Sequence, residues 1–111
     1  MANKTQFGVA QHTLDIILGV IRDYPQIERA VIFGSRAMGT FRFNSDIDIA
    51  IYAPTMTPTD WARFKLDMDG TPIVFGMDIV HYDRCNDINL RRKIDREGIE
   101  IYSVKSVGKT K

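Results

Sequence analysis

Three aspartates of this 111-residue chain have the spacing and the surroundings of a metal site. Asp46 and Asp48 flank Ile47 at the start of the alternating segment DIDIAIY, and Asp78 is the only charge in the apolar run IVFGMDIV. Side chains at positions i and i+2 of a strand point to the same face, so Asp46 and Asp48 would present two carboxylates to one ion or to a close pair. Hard carboxylate oxygens suit Mg²⁺, which completes its coordination with water and substrate phosphate. The expected substrate is therefore a phosphate ester.

A Gly-Ser pair precedes the first two aspartates and gives the pattern G-S-x(10)-D-x-D. Gly34 would let the backbone approach a polyphosphate without a Cβ in the way, and Ser35 would add a hydroxyl and an N–H at the possible start of a helix. Arg36 or Arg42 could add charge-assisted contacts to phosphate. Each feature also has a plain interpretation, because Gly-Ser and the segment 44–46 are common turn sequences and arginines usually lie on the surface.

Asp78 extends the prediction from a metal site to a reaction. An unpaired charge inside an apolar strand is costly, which favours a functional role for this carboxylate. If the strands carrying Asp48 and Asp78 are neighbours, the three acids can converge on one face. In a two-metal arrangement, one ion helps deprotonate an attacking hydroxyl and the other neutralises departing pyrophosphate, with Asp78 as ligand and possible general base.

Helices and strands alternate along the chain, which predicts a small α/β domain. Apolar residues at helical spacing, capping residues and proline positions mark the helices, and period-2 alternation marks the strands. The predicted helices run from about Thr5 to Asp23, from Pro58 to Asp69, and from a cap at Asp83 or Asp87 to Gly98. The predicted strands are Arg29 to Phe33, Asp46 to Tyr52, Ile73 to His81 and Ile99 to Ser103.

Composition predicts one folded domain over residues 1–111, with a core at about 5–103 and a flexible tail at 104–111. Hydrophobic residues make up 44% and charged residues 26%, both ordinary globular values. A net charge of +1 gives no strong attraction to nucleic acid or to a membrane surface, so no direct nucleic-acid binding is expected. A lone Cys85, no secretory h-region and no long apolar run predict a cytoplasmic, non-membrane protein.

The combined pattern resembles the signature of the polymerase beta-like nucleotidyltransferase superfamily, and the short length is similar to its minimal nucleotidyltransferase (MNT) branch. The resemblance is specific at Gly34, Ser35, Asp46, Asp48 and Asp78. It implies a small mixed β-sheet flanked by helices. It also implies that Gly34 and Ser35, with Arg36 beside them, hold the triphosphate, and that the three aspartates hold two Mg²⁺ ions.

The resemblance further implies transfer of AMP from ATP to a hydroxyl, with release of pyrophosphate. MNT proteins are commonly paired with HEPN-domain ribonuclease toxins and act as antitoxins by transferring AMP to a toxin tyrosine. Two alternatives remain open at this point. The chain could neutralise a partner by binding alone, with catalysis secondary or lost, or it could modify a small molecule. The last is less favoured, because antibiotic nucleotidyltransferases carry an added acceptor-binding domain.

Overall fold

Four strands form one mixed sheet in the computed structural model, which describes residues 4–104. The strand order is β3-β2-β1-β4, with β2 antiparallel to β1 and parallel to β3, and β4 antiparallel to β1. This confirms the predicted small mixed α/β fold. The strands are β1 (Arg29–Phe33), β2 (Ile47–Tyr52), β3 (Met77–His81) and β4 (Ile99–Ser103), and the helices are α1 (Gln11–Arg22), α2 (Ser35–Met38), α3 (Pro58–Asp69) and α4 (Ile88–Glu97).

Alternation along β2 divides the core between the two faces of the sheet. Ile47, Ile49 and Ile51 are fully buried against α1 and α3, which supply Ile17 and Phe64 among other buried residues. These isoleucines share one face because successive strand side chains point in opposite directions. The apolar face predicted from the sequence is therefore the face that α1 and α3 cover.

The opposite face carries a smaller apolar cluster under α4. Val31, Phe33 and Ala50 of the sheet pack with Ile94 of α4, and all four are buried. Asp48 lies two residues before Ala50, so its side chain is on this face. The α4 face is consequently the face on which the predicted acidic site must lie.

The first helix begins later than the sequence predicts. The predicted start was Thr5, but α1 begins at Gln11, and Lys4 pairs with Ala10 in an isolated antiparallel bridge. Gly8 has a φ of 76°, which lies outside the helical region, and the Thr5 hydroxyl donates to the Val9 carbonyl at 3.0 Å. This turn brings apolar side chains into the core before the helix starts.

The third strand is shorter than predicted, because β3 begins at Met77 and not at Ile73. Among residues 4–104, its only neighbour in the sheet is β2, whose first residue, Ile47, pairs with Met77. In this part of the chain, the residues just before position 77 therefore have no strand residue opposite them. The last ladder contact on this side is the bond from the Ile47 N–H to the Gly76 carbonyl, at 2.9 Å.

Capping residues predict the positions of α3 and α4 well. Thr57 accepts a hydrogen bond from the Asp60 N–H at 3.1 Å, and α3 spans the predicted residues. Asp87, one of the two predicted caps, accepts from the N–H groups of Asn89 and Leu90 at the start of α4.

No helix within residues 4–104 is both long and apolar enough to cross a membrane. The predicted tail lies outside the described residues, except for Val104, whose N–H donates to the Glu28 carbonyl at 3.0 Å.

We predict that Thr57→Ala lowers the free energy of unfolding by about 1 kcal/mol, because the cap bond to the Asp60 N–H is lost. Thr59→Ala makes the same chemical change at an exposed position inside α3 and is the matched control. Urea unfolding followed by circular dichroism measures both. Equal effects of the two substitutions would contradict the capping role of Thr57.

Candidate active site

The register of the sheet brings the three predicted acids to one end of the sheet. Asp48 and Asp78 are direct partners in the parallel β2–β3 pair, so both side chains leave the same face. Asp46 comes immediately before β2, and Asp48 also pairs with Phe33, the last residue of β1. Gly34 and Ser35 follow at once. Neighbouring strands therefore place the Gly-Ser pair and the acids together, as the sequence pattern requires.

Two glycines make room for the first two carboxylates. A Cβ on Gly34 would overlap Oδ2 of Asp48 and lie 3.2 Å from its Cγ, and Gly34 also has a φ of 76°. A Cβ on Gly76 would overlap Oδ1 of Asp46 and lie 3.2 Å from its Cγ. Since Gly34 follows β1 and Gly76 precedes β3, the two carboxylates lean toward opposite neighbours of β2. A side chain at position 34 would be strained by the positive φ as well as by contact with Asp48, whereas one at position 76 would displace the Asp46 carboxylate.

The acids of this site repel one another. The pKa of Asp48 is raised above its ordinary value, first by burial and then by the negative charge of Asp78, with smaller contributions from Asp46 and Glu97. The positive charge of Lys93 on α4 acts in the opposite direction. Bringing a cation to these carboxylates would relieve the repulsion, which is the electrostatic condition that a divalent metal ion satisfies.

The donor set fits Mg²⁺ in chemistry, since Asp46, Asp48 and Asp78 supply only hard oxygen ligands. Within residues 4–104, however, no three acidic, histidine or cysteine side chains stand ready-made as a metal site. Asp46 leans toward Gly76 and Asp48 leans toward Gly34, so these two carboxylates do not point at a common position. Metal binding would require these side chains to turn toward one another.

The guanidinium of Arg36, which the sequence suggests as a phosphate contact, lies inside the protein. Its side chain is 1% exposed, and the guanidinium donates to the carbonyls of Phe7, Ser45 and Phe43 at 2.9, 3.0 and 3.2 Å. A longer bond reaches the carbonyl of the exposed residue Arg42 at 3.4 Å. These donors are therefore occupied by backbone, and the arginine ties the amino-terminal turn to the loop that leads into β2.

Aromatic rings and a nearby acid complete the surroundings of Arg36. Its guanidinium carbon lies 4.9 Å from the ring centroid of Phe41 and 4.8 Å from that of Phe75. Burial lowers the pKa of Arg36, and the charge of Asp46 opposes that shift. The positive charge of Arg36 therefore interacts with the negative charge of Asp46, while the hydrogen bonds of its guanidinium hold the surrounding loop.

One site residue was missed by the sequence-based prediction. Glu97, the last residue of α4, accepts a hydrogen bond from the Gly34 N–H at 3.0 Å, and its side chain is only 14% exposed. Lys93 precedes it by four residues and so lies on the same side of the helix. The local sequence carries no sign of this contact, because it depends on how α4 crosses the end of β1.

Comparison with known proteins identifies the family. Residues 16–106 match the family described as polymerase beta, nucleotidyltransferase, and the chain belongs to this family. The resemblance noted from the sequence is thereby confirmed. A search of curated proteins found no match.

Solved structures of similar fold include nucleotidyltransferases from toxin–antitoxin pairs. A chain of a toxin–antitoxin structure with AMP-PNP superposes with a TM-score of 0.67 at 23% identity, covering 85% of this chain and 76% of that one. A structure of a tri-AMPylated Shewanella oneidensis HEPN toxin with its MNT antitoxin gives 0.58 at 20% identity, covering 93% and 76%. A minimal nucleotidyltransferase gives 0.58 at 26% identity, covering 82% and 91%.

We predict that Arg36→Lys destabilises the fold by about 2 kcal/mol or more, because one ammonium group cannot reach the carbonyls that the planar guanidinium joins. The matched control is Arg42→Lys, since Arg42 is exposed and takes part here through its backbone. Chemical denaturation of both variants measures the difference. A stability for Arg36→Lys equal to that of the control would overturn the assigned bracing role.

We also predict that Asp48→Asn stabilises the metal-free protein at neutral pH, because it removes a partly buried charge that its neighbours repel. A raised folded-state pKa means that ionised Asp48 costs stability above that pKa, and the cost disappears as the pH falls below the unfolded-state value. The gain should therefore shrink in acid. Thermal unfolding across a pH series tests this, with the exposed Asp69→Asn as control. A lower melting temperature for Asp48→Asn at neutral pH would contradict it.

Proposed function

We propose that this protein is a Mg²⁺-dependent nucleotidyltransferase that transfers AMP from ATP to a hydroxyl, most specifically to a tyrosine of a partner HEPN toxin. It would thereby act as the antitoxin of a toxin–antitoxin pair in the cytoplasm. The observation that carries the proposal is the register that pairs Asp48 with Asp78 and joins Gly34 to the end of β1, in a chain of the polymerase beta nucleotidyltransferase family.

Each residue has a role that follows from its position. The backbone at Gly34 and Ser35 would bind the triphosphate, and Asp46, Asp48 and Asp78 would hold Mg²⁺, which supplies charge neutralisation and activation of the hydroxyl. The acceptor oxygen forms a bond to the α-phosphorus as the bond from that phosphorus to the pyrophosphate oxygen breaks. Asp78, exposed at the edge strand, is the candidate to accept the hydroxyl proton.

A protein acceptor is supported by the surface beside the acids. Phe43 and Val74 are 89% and 92% exposed, and they line one groove together with Asn44, Phe75 and Gly76. Gly76 also contacts Asp46, so this apolar groove adjoins the acidic site. Large exposed apolar side chains are typical of surfaces that other proteins cover. The MNT antitoxin among the similar structures is likewise bound to a HEPN toxin.

The second candidate function is neutralisation of a partner by binding alone. One observation favours it: Glu97 already occupies the Gly34 N–H, where a phosphate would bind. In that case the exposed groove would carry the biological role and the acidic site would be secondary.

We predict that Asp46→Asn reduces AMP transfer at least about 100-fold, because the remaining acids bind and orient Mg²⁺ poorly without it. The experiment incubates the purified protein with Mg²⁺, α-labelled ATP and a co-encoded HEPN protein, and measures label that remains covalently attached. Asp69→Asn removes an exposed carboxylate at the end of α3 and is the matched control. EDTA should abolish labelling by the unsubstituted protein.

The same variant separates the two functions. If Asp46→Asn binds the toxin but does not neutralise it in cells, AMP transfer is the function. If the variant neutralises the toxin as well as the unsubstituted protein does, binding alone is sufficient and the catalytic proposal is wrong.

A further inference from the structure

Glu97 places a carboxylate on a backbone group of the Gly-Ser turn. Its Oε1 accepts from the Gly34 N–H at 3.0 Å, while Oε2 lies 3.7 Å from Nη2 of Arg96. The Glu97 side chain is only 14% exposed, and Gly34 is buried. The contact is therefore a sheltered, charge-assisted hydrogen bond, which is stronger than a bond between neutral groups.

Glu97 adds a negative charge to an end of the sheet that already holds acids. The charge of Glu97 is close enough to contribute to the raised pKa of Asp48, and three aspartates already occupy this end of the sheet. A glutamate that only ended the helix could instead turn its carboxylate to water. A polar neutral side chain would satisfy the Gly34 N–H without adding a like charge. The negative charge thus calls for an explanation other than capping of one N–H.

A phosphate oxygen and the Glu97 carboxylate cannot both accept the single Gly34 N–H hydrogen along its axis. An anionic phosphate brought to Gly34 would also meet the negative charge of Glu97 directly. Binding of a triphosphate at this turn therefore requires Glu97 to leave. The observed affinity is then reduced by the fraction of molecules in which the Gly34 N–H is free.

We propose that Glu97 is an affinity-setting residue that occupies the phosphate position at Gly34 and is displaced when a nucleoside triphosphate binds. The inference rests on the proposed nucleotidyltransferase function and concerns the same site. Glu97 is not a catalytic residue in this scheme, because it leaves the turn before the reacting groups assemble. Its effect is to disfavour nucleotides whose phosphates bind too weakly to replace it.

The test compares nucleotide affinity among matched variants of the full chain. Isothermal titration calorimetry with Mg²⁺ and a non-hydrolysable ATP analogue measures the dissociation constant of each protein. Glu97→Ala should bind about tenfold more tightly than the unsubstituted protein, which corresponds to about 1.4 kcal/mol. Glu97→Gln should show a smaller gain, because the amide oxygen still accepts from Gly34 but the charge is gone. Asp95→Asn removes a carboxylate from the same helix, where it contacts Tyr82, and should leave the affinity within about twofold.

The Gly34 amide resonance gives a direct second readout. In ¹⁵N-labelled protein this resonance should shift on Glu97→Ala substitution, and nucleotide should bring the resonances of the variant and the unsubstituted protein together. If Glu97→Ala proves unfolded by circular dichroism, the isosteric Glu97→Gln decides the matter alone, and an affinity no higher than that of the unsubstituted protein overturns the inference.

The outcomes separate this inference from the function on which it rests. Equal or weaker binding by folded Glu97→Ala, with binding by the unsubstituted protein intact, would identify Glu97 as a structural brace and overturn the inference alone. Absence of binding in the unsubstituted protein and in both Glu97 variants would overturn the proposed function, and the inference with it.

Discussion

The parallel pairing of β2 with β3 is the constraint on which the site depends. This register sets Asp48 directly beside Asp78, and a shift by one residue would move one of these side chains to the α1 and α3 face. The register is specified by packing, because Ile47, Ile49 and Ile51 must all enter the main core. The hydrophobic core thus fixes the position of charges that repel one another and that would not come together without it.

The ten-residue spacing between the Gly-Ser pair and the acids has a physical basis in Arg36. The segment includes α2 and a loop that folds around the buried guanidinium, which bonds the carbonyls of Phe43 and Ser45. The same side chain holds the Phe7 carbonyl of the amino-terminal turn. A buried arginine with satisfied donors is a rigid anchor, whereas one aimed at solvent would leave this loop without support. The position of Asp46 therefore depends on the hydrogen bonds between the buried Arg36 and the carbonyls of this loop.

Local signals predicted those elements whose ends depend on local chemistry. The Thr57 cap and the following proline located α3. Of the two predicted caps, Asp83 and Asp87, the second begins α4. The missed boundaries depend on distant contacts. α1 begins after a turn that packs into the core, and β3 begins only where β2 offers a partner. The same distinction holds at the site. The three aspartates and Gly34 are visible as a pattern, but neither the burial of Arg36 nor the contact of Glu97 with Gly34 is encoded by neighbouring residues.

The site as a whole holds more negative charge than its surroundings neutralise. Asp48 is flanked by Asp78 and approached by Glu97. Among the described residues, the nearby cations are the buried Arg36 beside Asp46, the exposed Lys93 near Asp48, and Arg96, whose Nη2 lies 3.7 Å from the Glu97 carboxylate. Such an arrangement is costly in the free protein and becomes favourable when a divalent cation arrives. A nucleotide brings its own metal ions and its own anionic groups together. Metal binding would reduce the repulsion among the three aspartates. Phosphate binding at Gly34 would displace Glu97 and so remove its negative charge from the site. If the proposed function holds, this charge distribution would favour joint binding of metal and triphosphate over binding of either one alone.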